Sequence, residues 1–412
     1  MRIEVVNTGS ELLLGKVINT HVAYFGQELF KIGLRIDRQT TIPDGGVIGS
    51  MMTEAFPRCD ALLVTGGLGP TSDDITREVV AALLGRALVL DEGILETIRT
   101  MFRVRGLTSS PTNDRQAMVP VGATVLPNPY GTAPGLYLPA DLAVGSPHIF
   151  LLPGPPRELK PMFQVEVLPR LAEFSGGTAP VWQNFRIYGV GESALATALE
   201  PEFGAIVDLE VGYCARLGEV DLRLIGSAAS VELASKKVRA SFPEDIATES
   251  EDALSSVIVD LLKQRGETVA TAESCTGGAI ASAITDASGS SAVFSESYIV
   301  YANAAKTKLV GVAPELLAEH GAVSEAVVRA MAEGCLERSG ADHAIAVSGI
   351  AGPDGGSEEK PVGTVWLAIA SRGNETFAKR FFYPSDRASF KIRTTRQALD
   401  QLRRRLRGFA LA

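Results

Sequence analysis

The sequence predicts a multidomain α/β protein: an N-terminal parallel-sheet domain over residues 1–173, a small α+β module over 174–250 and a C-terminal α/β domain over 251–412. Three observations predict it. The chain has 412 residues, more than one hydrophobic core ordinarily organises. Near both ends, short apolar runs of strand length alternate with stretches of helical spacing, the rhythm of strands joined by crossover helices. Between these regions the pattern changes to short segments that fit neither rhythm.

In chain order, Ile3–Val6 reads as the first strand, and Ile18, Val22, Phe25, Leu29 and Ile32 recur at helical spacing. Ala61–Val64 and Ile149–Leu152 read as buried strands, the second followed by Pro153-Gly154-Pro155-Pro156, whose prolines suit the first turn of a helix. Ser175-Gly176-Gly177-Thr178-Ala179-Pro180 is a loop or linker. Strand-like segments at 181–190 and 219–225 make the middle module. A helical pattern at 252–264 opens the last domain, followed by strands at 268–271, 297–300, 343–348 and 362–369 and a final helical stretch.

Composition narrows the function. With 39 Lys and Arg against 48 Asp and Glu, the net charge of −9 argues against broad electrostatic binding of nucleic acid. The one dense basic run, Arg403-Arg404-Arg405-Leu406-Arg407, ends a helical pattern, where cations complement the helix dipole. Cys59, Cys214, Cys275 and Cys335 form no Cys-x-x-Cys pair, so neither a zinc site nor a disulfide framework is expected, and a reducing cytoplasm fits. No apolar run approaches a membrane span and the N-terminus carries no apolar signal core, so no membrane association is expected.

The richest chemistry lies after the strand 268–271. Glu273-Ser274-Cys275-Thr276-Gly277-Gly278 is a small-residue turn leading into a helix over 279–287, and such a turn can present a nucleophile or free amides to an anion. Ser274 or Thr276 could equally serve as the helix N-cap. Tyr301-Ala302-Asn303-Ala304-Ala305-Lys306 follows the next strand; a desolvated Lys306 can act as a base toward a serine, whereas an ordinary helix lysine is solvated. The histidines offer no Ser-His-Asp arrangement. Ser348-Gly349-Ile350-Ala351-Gly352-Pro353 leaves another buried strand, either as a simple turn or as a source of oxyanion donors. Arg387 and Arg393 begin the last helical pattern, within reach of a phosphate or as surface cations.

In the first domain, the strand 61–64 runs into Thr65-Gly66-Gly67-Leu68-Gly69-Pro70-Thr71-Ser72-Asp73-Asp74. Glycines let a backbone approach a phosphate, and Asp73 and Asp74 could hold a hard cation bridging it or be plain acids at a helix start. Glu11, in Thr8-Gly9-Ser10-Glu11, leaves the first strand at the same edge. Three more loops accompany these: Asn113-Asp114-Arg115-Gln116, Asn128-Pro129-Tyr130-Gly131-Thr132-Ala133-Pro134-Gly135, and Pro153-Gly154-Pro155-Pro156-Arg157-Glu158.

Taken in order, the three C-terminal motifs resemble the nicotinamide mononucleotide deamidase domain of the competence/damage-inducible protein A (CinA) family, over about residues 252–412. The five N-terminal loops resemble the same family's molybdopterin-binding-like domain, and the middle segment its KH-like module. The resemblance implies hydrolysis of the carboxamide of nicotinamide mononucleotide to nicotinic acid mononucleotide and ammonia. Ser274 would be the nucleophile and Lys306 the proton shuttle, with Tyr301 and Ser348 in the catalytic set. Ser348 stands where the family often has threonine, and Ala302 where it often has serine. Thr276, Gly277, Gly278, Gly349 and Arg387 would bind substrate, and no metal is needed there.

For the first domain the resemblance implies a metal-dependent ADP-ribose pyrophosphatase yielding AMP and ribose 5-phosphate. Glu11, Asp73 and Asp74 would be metal or water-activating carboxylates, with Thr65, Gly66, Gly67, Gly69, Asn128, Thr132, Gly154 and Pro155 at the substrate. A divalent ion such as Mg, the two nucleotides as small-molecule partners and a homodimer complete the expectation. The acidic Glu200-Pro201-Glu202 and the lack of a Gly-x-x-Gly clamp give the middle module no support for RNA binding. The rival reading is a non-catalytic protein with a molybdopterin-like or nucleotide pocket, which would not require the Ser274 and Lys306 pair.

Overall fold

The computed structural model describes residues 1–175 and 181–411. The expected linker at 175–180 therefore falls, from residue 176 on, outside the described residues. Two compact units emerge, Met1–Ala179 and Pro180–Ala412. Among the described residues, no helix is long and apolar enough to cross a membrane.

The first unit runs β1 (Ile3–Thr8), α1 (Ser10–Leu13), α2 (His21–Lys31), β2 (Arg38–Ile42), α3 (Val47–Ala55), β3 (Ala61–Thr65), α4 (Thr76–Leu83), β4 (Leu88–Leu90), α5 (Glu92–Val104), β5 (Met118–Pro120), β6 (Thr124–Leu126), β7 (Gly135–Leu138), β8 (His148–Leu152), α6 (Pro156–Met162) and α7 (Leu168–Ser175). Its main sheet has the order β2-β1-β3-β8-β7-β6. The first four strands are parallel, while β7 and β6 turn antiparallel, so the expected parallel sheet carries an antiparallel edge. β1 and β3 are buried along their whole length, as apolar runs covered on both faces should be. α2 buries His21, Phe25 and Leu29, whereas Ile18 lies before the helix and is exposed. The register pairs Asn7 with Thr65 and Thr65 with Leu152. The loops after β1, β3 and β8 consequently leave the sheet side by side, at the carboxyl edge where α/β sheets bind ligands.

The second unit begins with β9 (Val181–Tyr188), α8 (Glu192–Phe203), β10 (Glu210–Arg216), β11 (Glu219–Gly226), α9 (Ala228–Ser241) and β12 (Ile246–Thr248), an antiparallel sheet of order β10-β11-β9-β12. Its core contains Phe185, Ile187, Leu199, Leu222, Leu224 and Val238. There follow α10 (Leu254–Arg265), β13 (Val269–Glu273), α11 (Ala279–Thr285), β14 (Phe294–Ile299), α12 (Asn303–Val310), α13 (Pro314–His320), α14 (Glu325–Ser339), β15 (His343–Gly349), β16 (Thr364–Ser371), β17 (Asn374–Phe382) and α15 (Arg387–Arg407). The second sheet has the order β14-β13-β15-β16-β17: β14, β13 and β15 are parallel and the last two antiparallel.

The middle module and the last domain thus belong to one unit, and polar contacts from α15 link them. Arg403, fully buried, donates to the carbonyls of Glu244 (2.8 Å) and Ile246 (3.4 Å), and Arg407 to those of Ile246 (2.9 Å) and Ala247 (2.8 Å). Asp400 holds both Arg403 and Arg404. The basic run accordingly does more than complement a helix dipole: it binds the strand end and loop of the middle module.

Candidate functional site

The C-terminal site begins with the register of its sheet. Glu273 ends β13 opposite Val347 of β15; Ser274 N–H donates to Val347 O (3.1 Å), and Val300 N–H to Glu273 O (2.8 Å). The turn that carries Ser274 is therefore pinned to both neighbouring strands. Its next residues reverse into α11 through Gly277 (φ 62°) and Gly278 (φ 97°), positions where only glycine is unstrained.

Three nucleophilic side chains stand in that turn, and their surroundings separate them. Thr276 is fully buried and its hydroxyl donates to Glu273 Oε2 (2.6 Å). Cys275 is buried too, and desolvation, reinforced by the Glu273 charge, pushes its thiol up to about 12, so it stays protonated. Ser274 faces Lys306, whose Nζ donates to Ser274 Oγ at 3.2 Å.

Lys306 is 1% exposed, not the solvated helix lysine that its type allows. α12 starts just after Tyr301, so its first turn carries Lys306 back toward the end of β14, where Nζ also donates to the carbonyls of Val300 (2.9 Å) and Tyr301 (3.3 Å). Among the described residues no carboxylate pairs with it. Desolvation lowers its pKa, which is the condition for a lysine to serve as a base.

The other expected residues fare differently. Ser348 is buried and gives its hydroxyl proton to Ala322 O (2.7 Å), so the expected hydroxyl donation to an oxyanion is already spent. Gly349 ends β15 where a Cβ would lie 2.8 Å from Thr364 O. Tyr301 is exposed at the rim, its hydroxyl accepting from Arg387 Nη2 (3.0 Å), while Arg387 Nη1 donates to Gly352 O (2.9 Å). Arg387 thereby joins the second and third motifs. Arg393 instead lines a separate cavity with Tyr383, Gln397 and residues of the middle module.

The helix N-terminus at Thr276-Gly277-Gly278, expected to seat the substrate phosphate, already holds an anion of the chain. The fully buried Glu273 carboxylate accepts from the amides of Gly278 (2.9 Å), Ile280 (3.1 Å) and Ala281 (2.8 Å) as well as from Thr276. This N-terminal dipole is satisfied internally. Sequence reasoning took Glu273 only as part of the motif; its place directly before a Gly-Gly helix start was the available signal. It also missed Lys391, whose Nζ lies 3.9 Å from where a Cβ on Gly277 would project.

In the first unit, Glu11, Gly66, Gly67, Gly69, Asp73, Asp74, Thr132, Gly154 and Pro155 line one cavity of about 470 Å³, with Thr8, Gln116 and Tyr130 of the quoted loops and with Asp44 and Arg105, which no motif singled out. A Cβ on Gly66 would lie 2.6 Å from Thr8 O, and one on Gly67 2.0 Å from Thr76 Oγ1, so only glycine fits this loop. Thr65 is buried and its hydroxyl donates to Asn7 Oδ1 (3.0 Å), away from a ligand role. Asn128 is likewise committed to structure: Nδ2 donates to Ala133 O (2.7 Å) and Glu158 Oε2 (2.9 Å), and Oδ1 accepts from the amides of Tyr130 and Gly131.

The three expected metal carboxylates share the cavity without converging. Asp74 folds against Gly69 and accepts from the Thr71 amide (3.1 Å) and hydroxyl, and Glu11 folds back against Gly9. Among the described residues no three His, Cys, Asp or Glu side chains form a metal-holding group. The donors are hard oxygens of the right class for a divalent ion, but a cage built by the protein alone is not what they form. Mg-type binding takes one or two carboxylates together with substrate phosphates, so these residues would need the substrate to complete such a site.

Known proteins match along the whole chain. The family model of the CinA C-terminal domain matches residues 251–406, that of a probable molybdopterin binding domain residues 4–173, and that of the damage-inducible protein CinA KH domain residues 183–242. A CinA-like protein of Akkermansia muciniphila is 47% identical over 97% of this chain and 96% of its own. A putative competence-damage inducible protein of Symbiobacterium thermophilum is 45% identical over 98% of this chain and 99% of its own. A crystal structure of a competence/damage inducible protein from Agrobacterium tumefaciens matches 36% of this chain and 91% of that one at 44% identity, with a TM-score of 0.36. By full-length identity and by all three domain models, the chain belongs to the CinA family, with a molybdopterin-binding-like domain, a KH-like module and a CinA C-terminal domain.

Proposed function

We propose that the chain is a bifunctional hydrolase that recycles pyridine nucleotides, deamidating nicotinamide mononucleotide in its C-terminal domain and cleaving ADP-ribose in its N-terminal one. The observation that carries the first activity is Lys306, buried without a carboxylate partner among the described residues and 3.2 Å from Ser274 Oγ. A protein that merely bound a nucleotide would have no use for a desolvated amine against a serine.

In the proposed reaction the neutral Lys306 amine takes the Ser274 proton as Oγ attacks the carboxamide carbon. The amides of Cys275 and Thr276 lie against the Cys275 sulfur, a weak acceptor that a tetrahedral oxyanion can displace. Lys306 returns the proton to the departing ammonia, leaving a Ser274 ester. Water, deprotonated by Lys306, then cleaves the ester to nicotinic acid mononucleotide and frees the serine. With Gly278 occupied by Glu273, the substrate phosphate falls to Arg387 and Lys391 at the start of α15.

In the N-terminal cavity, the backbone of Gly66–Gly69 receives the diphosphate of ADP-ribose, and Asp73 and Asp74 would hold a divalent ion together with it. Such an ion supplies charge neutralisation for a phosphoryl centre under attack by water. One experiment addresses both sites: ammonia release from nicotinamide mononucleotide and AMP release from ADP-ribose by the full chain, with and without chelator, beside Ser274→Ala and Lys306→Ala. Each variant is expected to lose ammonia release by about 10⁴-fold or more and to keep chelator-sensitive AMP release. Full deamidase activity in both variants sinks the pair; AMP release indifferent to chelator sinks the metal.

A further inference from the structure

α15 is one continuous helix of 21 residues that serves two parts of the second unit. Its first two turns carry Arg387, tied to Gly352 and Tyr301, and Lys391, beside Gly277. Farther along, Arg396 reaches into the KH-like module, donating to Leu217 O (2.7 Å) and pairing with Glu219 (3.0 Å). Glu219 is buried, and it also accepts the Tyr188 hydroxyl and lies 3.7 Å from Arg216. Beyond that pair, Arg403, Arg404 and Arg407 grip residues 244–247.

Packing around the Glu219–Arg396 pair is open. A cavity of about 630 Å³ lies there, lined by Arg186, Tyr188 and Glu219 of the module and by Ala279, Lys391 and Thr395 of the C-terminal domain. Tyr188 and Ala247 of the module share an apolar cluster with Ala398 and Leu399 of α15, and beside the cavity the directed contacts of Arg396 with Glu219 and Leu217 set the orientation of the helix. An uninterrupted helix passes a tilt at one end to the other, because its ladder of backbone hydrogen bonds resists bending. The module meanwhile lacks the glycine clamp of an RNA-binding KH domain, which leaves its place in the unit to be explained by something else.

We propose that the KH-like module is a brace for the deamidase site, in which Glu219 and Arg396 are positioning residues that act through α15 to set Arg387 and Lys391 for the substrate phosphate. This rests on the proposed deamidase reading. It assigns to the module a role in substrate affinity and none in the chemistry at Ser274, which lies on a different turn pinned by β13, β14 and β15.

The test uses the full chain with Glu219→Gln, Arg396→Ala, their double variant and Arg396→Lys. For nicotinamide mononucleotide, KM is expected to rise roughly 5-fold or more in each single variant, with kcat within about twofold. The double variant should be no worse than either single one, as members of one contact behave, and Arg396→Lys should restore most of the affinity. Hydrogen exchange of the amides at 387–391 should quicken in Glu219→Gln. A lowered unfolding temperature with unchanged KM, or a fall in kcat at constant KM, overturns the brace. Should the wild-type chain release no ammonia, the deamidase reading fails by itself, and unaltered exchange at 387–391 would still overturn the brace separately.

Discussion

Lys306 shows how a residue's identity and its behaviour part company. From sequence it could be a base or an ordinary solvated lysine, because residue type and spacing say nothing of burial. The fold removes it from water and, among the described residues, gives it only neutral acceptors, Val300 O, Tyr301 O and Ser274 Oγ. Desolvation disfavours its ammonium form, so its pKa lies below that of a free lysine. The proposed base works deprotonated; the deamidation rate should therefore climb with pH through the lowered Lys306 pKa and level off above it, at a pH under the ordinary lysine value of about 10.4. A kcat profile flat across that range would contradict the assignment. Cys275→Ala should trace the same profile, because its protonated, buried thiol takes no part. Ser348, expected in the catalytic set, and Asn128, expected at the substrate, both have their side chains engaged within the fold, by hydrogen bonds to Ala322 and to the 128–133 loop that motif position does not reveal.

Secondary structure was most legible where burial is complete. β1, β3 and β8 are continuous apolar runs because they lie inside the sheet, and β13 and β15 read as strands for the same reason. β17 escaped notice: it is a half-exposed edge strand, and Asn374–Phe382 mixes polar and apolar residues without a plain core face. The Gly66–Gly69 loop was legible by composition, but which glycines matter follows from contacts that join distant segments. Gly67 has φ 68° and backs onto Thr76. Gly67→Ala should lower the stability of the first unit by ~1–3 kcal/mol through backbone strain and the clash. Denaturant unfolding checks this, and AMP release should fall with ammonia release unaffected. Unchanged stability would mean that the loop yields more easily than its contacts imply.

For the whole molecule, sequence rhythm separated three segments, yet the last two form one unit. The reason was hidden in Arg403-Arg404-Arg405-Leu406-Arg407: a basic run is an ordinary helix end until its partners, distant in sequence, are known. Asp400 is the hub of that contact, 2% exposed and bonded to Arg403 (2.7 Å) and Arg404 (3.1 Å). Asp400→Ala would leave the fully buried Arg403 guanidinium short of its carboxylate, while Arg404 keeps Glu244 and Asp245, and should destabilise the second unit by about 3 kcal/mol. Thermal or denaturant unfolding measures it, and a change under about 1 kcal/mol would show that the carbonyls at 244–247 and the carboxylates of Glu244 and Asp245 suffice.

The grip of α15 on residues 244–247 also has a consequence for the order of events during synthesis. Residues 181–250 leave the ribosome well before Arg403, Arg404 and Arg407 exist, and every element from α10 to β17 is translated in between. The middle module can close its own antiparallel sheet early, since its core is local. Tyr188 and Ala247 can meet α10 early, but the arginine contacts that complete the module's attachment must wait for α15. A nascent chain halted before that helix would already display Ser274, Lys306 and Ser348, but neither Arg387 nor the arginines that bind the module.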